Sequence, residues 1–201
     1  MIHHTYNNGL TFNVPETFYG AISRAKKYVN LHEPFEESVF DHILKNTKIN
    51  HFIDVGSAWG YYSILVKKIS PNTNVIGIEP RPELIEIAKT NQQLNEVGEI
   101  SFVHGSVSRQ PHTVKLVNLI KNYKQVELIK IDIDGGARKA LMTAHDAIFK
   151  FKNIVIGTHG LEHKNCLKFL CQKGFIIKMD YTSEEIPLQP DGLIWATHED
   201  S

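Results

Sequence analysis

At 201 residues, 42% of them apolar, the chain is long enough to bury a sizeable core and reads as a soluble globular protein. Its 22 basic side chains balance 22 acidic ones, so no long-range field draws it to nucleic acid or to an anionic membrane, and neither is expected as a partner. The first eight residues lack a basic stretch followed by an apolar one, and no apolar run approaches membrane-spanning length, so a cytoplasmic location is expected.

Residues 1–50 are the least regular part. A helix is expected over 37–45, and the rest is expected to cap a pocket or an edge, which divides the chain into a helical and irregular cap segment (1–50) and a ligand-binding domain (51–201). From residue 51 the pattern alternates. Strand-like runs at 51–55, 74–79, 99–104, 126–132 and 153–158 are rich in Ile and Val and almost continuously apolar, as strands covered on both faces are. Helical patterns follow at 59–69, 82–94, 114–123, 138–151 and 162–173. Cys166 and Cys171, five apart on the last helix, diverge around it and are expected as buried or half-buried thiols, not as a disulfide or metal pair. After Gly174 come two strands, 175–181 and 192–198, joined by a polar loop with Pro187 and Pro190; with no helix between them they should pair antiparallel. The expected architecture is α/β: a doubly wound, mostly parallel sheet with right-handed crossovers and an antiparallel C-terminal strand pair. Dimerisation through that antiparallel edge or the N-terminal segment is left open.

In such a sheet ligands bind beyond the carboxyl ends of the strands, near the point where strand order reverses. Residues 51–63 read as a nucleotide cradle: an apolar run closes on Gly56 and Gly60, which admit backbone close to a ligand, and a helix begins with unpaired N–H groups. Glu79 ends the next strand 19 residues after Gly60, near the offset at which a carboxylate meets ribose hydroxyls, although it could instead cap the following helix. Other strand ends supply Asp54, His104 to Ser106, Asp132 with Asp134, and His159. Asp132 and Asp134, two apart on an extended strand, project to one face. They could hold a divalent cation, differ in pKa so that one becomes a base, or cap the helix that follows. His104 and His159 are candidates for proton transfer, with simple hydrogen bonding as the plainer role.

These residues resemble the FkbM-type methyltransferases, of the Rossmann-like class I fold that uses S-adenosylmethionine. That family's opening motif, Asp-Val-Gly-Ala-Asn-Ile-Gly-Tyr-Tyr-Ser, has its counterpart in Asp54-Val55-Gly56-Ser57-Ala58-Trp59-Gly60-Tyr61-Tyr62-Ser63. A strand ending Glu-Pro appears as Glu79-Pro80, with Arg81 next and Asn91 and Asn95 downstream. The third motif, Leu-Ile-Lys-Ile-Asp-Val-Glu-Gly, appears as residues 128–135, and a Glu-Pro ahead of the domain as Glu33-Pro34. The likeness runs from about residue 31 to residue 159. It implies that Asp54, Gly56, Ser57 and Gly60 surround the methionine part of the cofactor, Glu79 holds the ribose hydroxyls with Arg81 beside them, Ser106 and Val107 lie by the adenine, and Asp132 faces the sulfonium and the acceptor. The chain departs from the family where Ala58 replaces Asn, Asp134 replaces Glu, and Ala137 replaces a Glu.

The function expected is S-adenosylmethionine-dependent O-methylation of a hydroxyl on a small molecule or carbohydrate, without a metal. Asp132 or Asp134, made more basic by mutual repulsion, or His159 would be the base. The three departures make a catalytically degenerate, regulatory or scaffolding cofactor-binding module the alternative. A nicotinamide-dependent reductase is disfavoured, because Trp59 stands where close pyrophosphate approach needs small residues. Acceptor walls are expected from the loops at 12–28, 109–113, 160–163 and 182–191.

Overall fold

A computed structural model describes residues 1–27, 29–107, 113–185 and 191–198. The chain opens with two short strands, β1 (Ile2–Thr5) and β2 (Thr11–Val14), paired antiparallel as a separate hairpin. Asn7-Asn8-Gly9 makes its turn, with Gly9 at a φ of +81° and Tyr6 N–H donating to the Leu10 carbonyl at 2.9 Å. Two helices follow, α1 (Tyr19–Lys27) and α2 (Pro34–Asn46), the second started by Pro34 in its first turn, where a missing N–H costs nothing.

The remaining elements are β3 (His51–Val55), α3 (Tyr61–Ile69), β4 (Asn74–Glu79), α4 (Pro82–Leu94), β5 (Ser101–His104), α5 (Leu116–Leu119), β6 (Val126–Asp132), α6 (Ala137–Met142), β7 (Phe151–Thr158), α7 (Glu162–Gln172), β8 (Ile176–Tyr181) and β9 (Gly192–Thr197). Seven of the strands form one sheet in the order β5-β4-β3-β6-β7-β9-β8. β3 to β7 are parallel; β9 runs antiparallel to both β7 and β8. The α/β, doubly wound reading and the antiparallel C-terminal pair are what the molecule has.

Each central strand is apolar on both faces because both are covered. Phe52, Leu128 and Val155 face one apolar cluster with α3 and the N-terminal segment, while Ile53, Ile129 and Ile154 face a second one with α6 and α7. Tyr6, Leu10, Phe12 and Val14 belong to the first cluster, so residues 1–50 share a core with the sheet. Asn91 on α4 and Asn95 at its C-cap, one turn apart, stand in for a neighbouring strand along β2. The Asn91 Oδ1 accepts the Asn13 N–H at 2.7 Å and that of Asn95 the Thr11 N–H at 2.9 Å, while their amide nitrogens donate to the Asn13 and Thr11 carbonyls.

Three expectations change. The helix expected over 114–123 is the single turn α5, and the one over 138–151 breaks after Met142 into the 3-10 turn His145–Lys150, with His145 at a φ of +50°. Cys171 is exposed; only Cys166 is buried, and burial pushes its thiol up to about 12. Pro187, Pro190 and residues 109–112 of the expected acceptor loops lie outside the described residues.

Candidate functional site

Strand order reverses between β3 and β6, and a cleft of about 390 Å³ opens there, beyond the carboxyl ends of β3, β4 and β6. Of the residues singled out in the sequence, Asp54, Gly56, Ser57, Glu79, Arg81, Ser106, Val107, Asp132, Asp134 and His159 line it. Gly60 does not: it opens α3 at a φ of +88°, and the space for a Cβ is taken by Ala88 at 3.1 Å. His104 is also outside the cleft lining, bonded through Nε2 to the Pro80 carbonyl at 3.0 Å.

One wall is made of backbone. Gly56 has a φ of +87°, and a Cβ there would stand 2.0 Å from the carbonyl oxygen of Asp132, so only glycine lets the bend pass the end of β6. The N–H groups of Gly56 and Ser57 donate to the Ile78 carbonyl at 2.9 and 3.1 Å, which fixes the bend against β4. The buried Glu79 carboxylate then closes the loop. Its Oε2 accepts the Ala58 N–H at 3.0 Å, and its Oε1 accepts the Arg81 backbone N–H at 3.1 Å and the Arg81 Nε–H at 2.7 Å. The Arg81 guanidinium lies 5.4 Å from the centre of the Phe18 ring, which brings the N-terminal segment over this wall. Asp54 lies at the base of the wall with its Oδ2 accepting from Ser63 Oγ at 2.7 Å; burial raises it to about 6, against the pull of Lys130 and Ser63.

The opposite wall is made of charges. The Lys130 ammonium, buried in the middle of β6, donates to Asp132 Oδ2 at 3.0 Å, stands 3.6 Å from Glu36 Oε1 and lies 4.5 Å from the centre of the Tyr62 ring. His159 sits between carboxylates, Nε2 at 3.2 Å from Asp132 Oδ1 and 3.7 Å from Asp134 Oδ1, and Nδ1 at 2.7 Å from Asp191 Oδ1. Hydrogen bonds to Asp132 and Asp191 raise His159 to about 10, against partial desolvation, so it is an imidazolium at neutral pH and both its N–H groups are engaged. Burial disfavours the Asp132 anion, but Lys130 and His159 outweigh it and hold the carboxyl well below the usual range. This corrects the expectation that mutual repulsion makes Asp132 basic: two cations bracket it, and the exposed Asp134 is not its dominant neighbour. Gly157 leaves room for that carboxylate, since a Cβ there would meet it at 3.0 Å.

Residues 31–37 complete this wall; sequence reasoning gave them only a place in the cap segment and named none of them as a site residue. Tyr62 Oη–H donates to Glu33 Oε2 at 2.9 Å and approaches Glu36 Oε2 at 3.2 Å, while Tyr61 Oη–H donates to Glu37 Oε1 at 2.8 Å. Oxygens of Glu33, Glu36 and Asp132 all lie within 4.8 Å of one another, and Lys130 is the cation among them. Two signals were present in the sequence: a lysine inside an otherwise apolar strand, which needs buried carboxylates, and three glutamates at the start of a helix that also carries core residues.

No family model matches the chain. It is 28% identical over 74 residues to the release factor glutamine methyltransferase of Aliivibrio fischeri, an alignment covering 37% of this chain and 25% of that protein. It is 27% identical over 81 residues to the tRNA (guanine-N(7)-)-methyltransferase of Prochlorococcus marinus, covering 40% of this chain and 39% of that one. The chain thus spans between a quarter and two fifths of the curated relatives it matches. Among solved structures, the Pyrococcus abyssi tRNA (uracil-54, C5)-methyltransferase in complex with S-adenosyl-L-homocysteine superposes with a TM-score of 0.61 at 15% identity, over 97% of this chain and 42% of that one. The fold is that of the class I methyltransferases. Two of these three proteins are named for tRNA, which overturns the expectation that nucleic acid is no partner. That expectation rested on neutral net charge, a property of the whole molecule that does not report what one cleft mouth can take.

Proposed function

We propose that the chain binds S-adenosylmethionine in this cleft and transfers the methyl group to a hydroxyl borne on a small molecule or sugar. One observation carries the reading: the glycine bend after β3 and the buried carboxylate at the end of β4 share a single cleft with the charged end of β6. The bend fits an adenosine-bearing ligand because it lines the cleft from Gly56 to Trp59 and its Ser57 Oγ is buried without a hydrogen-bond partner among the described residues. The names of similar proteins support methyl transfer, while naming glutamine and tRNA bases, not a small-molecule hydroxyl, as what those proteins act on.

In this reading Glu79 takes the ribose hydroxyls with Arg81 steadying its carboxylate, Ser106 and Val107 border the adenine, and Asp54, Gly56 and Ser57 frame the methionine part, with Gly60 acting only through the start of α3. When bound, the cofactor supplies a methyl group already activated for displacement. The protein's share is alignment, exclusion of water and control of charge. Asp132, fixed by Lys130 and His159, orients the acceptor and offers negative charge to the sulfonium. Asp134 extends the charge to the mouth. The segment 1–50 acts as a cap that brings Phe18, His32 and Glu33 to the acceptor side.

Calorimetry with S-adenosylmethionine and with NADH tests the cofactor. Saturable binding of the first and none of the second is expected, and the reverse would refute the assignment. Label transfer from methyl-tritiated S-adenosylmethionine into a mixed metabolite pool, with a tRNA pool as a parallel arm, tests the acceptor. Label confined to tRNA would replace the small-molecule reading, and label in neither would leave only a cofactor-binding module.

A further inference from the structure

Of the three groups nominated as base, Asp134 is exposed at the cleft mouth, and neither Asp132 nor His159 has a free hand. Both oxygens of Asp132 are engaged by cations, and both nitrogens of His159 by carboxylates. A different carboxylate reaches the cleft. Glu33 lines it, while Glu36 stands behind, buried and out of the lining. The two lie within 4.8 Å, in contact through the Tyr62 hydroxyl, so one proton is shared between like charges. Its position is asymmetric. Burial and the Glu33 charge drive Glu36 well above the usual carboxylate range despite Lys130, and among the described residues no hydrogen bond reaches its Oε1. Glu33 is held ionised, against burial, by His32, Glu36 and Lys130.

Resting on the methyltransferase reading above, we propose that Glu33 is the proton acceptor of the transfer, with Glu36 kept protonated behind it to hold its carboxylate toward the cleft. As the acceptor oxygen bonds to the methyl carbon, the carbon–sulfur bond breaks with its electron pair left on sulfur. The O–H electron pair stays on oxygen and the proton passes to Glu33. One positive charge is lost from sulfur and one negative charge from Glu33, so the net charge of the cleft is unchanged by the reaction. In a pocket already crowded with Asp132, Asp134, Asp191, Lys130 and His159, that balance avoids leaving an uncompensated buried charge, which is the costly outcome in low dielectric.

The same balance is measurable without turnover. S-adenosylmethionine carries the sulfonium charge and S-adenosylhomocysteine does not, so the second should favour a protonated Glu33. Calorimetric binding of each between pH 5 and 7, in buffers of different ionisation enthalpy, should show extra proton uptake with S-adenosylhomocysteine. Glu33→Gln should lose that difference with both affinities within about threefold, whereas Glu36→Gln, which imitates a neutral side chain, should keep it. In the label-transfer assay on the metabolite pool, Glu33→Gln should lose at least about 100-fold, as removal of a general base does, and Glu36→Gln no more than about fivefold. The proposal is overturned if Glu33→Gln retains both the uptake difference and transfer, if Asp132→Asn and not Glu33→Gln abolishes the uptake, or if Glu36→Gln loses as much as Glu33→Gln. Wild-type protein that binds S-adenosylmethionine but labels nothing removes the transfer reading itself, and with it any need for a proton acceptor.

Discussion

The two walls of the cleft are built by opposite means. The β3–β4 wall uses backbone N–H groups, two left-handed glycines and two carboxylates, Asp54 and Glu79, satisfied by neighbours in the same stretch, all from residues 54–81. The facing wall gathers charges from residues 32–37, 130–134, 159 and 191, whose buried members are paired with one another. Local geometry can be encoded by spacing, whereas a charge cluster requires the finished fold. A ligand common to a whole fold suits the first construction, and an acceptor peculiar to one protein suits the second.

The sharpest way to break the local wall is Gly56→Ala. Its Cβ would stand 2.0 Å from backbone, which no side-chain movement relieves, and its φ of +87° is unfavourable for alanine. Denaturant unfolding should show a loss of about 4 kcal/mol or more, or no folded protein. The charged wall should break at Lys130→Met. Removing the ammonium takes the shared cation from the Asp132 and Glu33 carboxylates and leaves Asp132 with His159 alone, at a cost of about 3–5 kcal/mol at pH 8. The deficit should shrink toward pH 5, since both carboxyls can then take protons. A deficit independent of pH would show that packing, not charge, holds this wall.

A milder test separates the hairpin from both walls. Asn91→Ala removes the acceptor for the Asn13 N–H and the donors to the Asn13 and Trp59 carbonyls, leaving buried backbone groups unpaired. A loss of about 2 kcal/mol is expected, read from the denaturation midpoint at unchanged slope. The His159 pairs give the charged wall a pH signature. The imidazole has a folded value of about 10, above the ordinary 6.5, so its stabilisation is complete below about pH 6.5 and is lost as pH rises toward and through 10. With the side chain partly exposed, the expected decline in Tm between pH 7 and 10 is roughly 2–4 °C, and His159→Gln should flatten it.

How legible each wall was follows from the same contrast. The strands at 51–55, 74–79 and 126–132 begin and end where Ile and Val runs do, because covered parallel strands leave no polar alternation to blur them. Glu79 could be placed by its distance from the glycines. The N-terminal hairpin could not, since four-residue strands carry too little pattern, though Asn8-Gly9 marked its turn. Lys130 and Glu33 stood in quoted motifs without a role, because their meaning is their proximity, and 97 residues separate them in the chain. Asp132 was assigned the wrong charge environment for that reason: its neighbour in sequence, Asp134, is exposed, while its neighbours in space are cations.

The smallest effect bears on a residue counted as a departure from the resembled motif. Ala58 stands where that motif has Asn, a difference that reads in the sequence as a lost polar contact. In the folded chain Ala58 has a φ of +46°, inside the left-handed region that Asn tolerates better than any β-carbon residue without a short polar group. Its side of the bend is already anchored, because its N–H donates to Glu79. The Asn therefore suits the backbone whether or not it touches a ligand. Ala58→Asn should raise stability by about 0.5–1 kcal/mol, seen as a small increase in Tm, and should leave the Glu79 turn intact. If instead the substitution left stability unchanged and tightened S-adenosylmethionine binding several-fold, the side chain would belong to the ligand's contacts and not to the internal bonding of the β3–β4 wall.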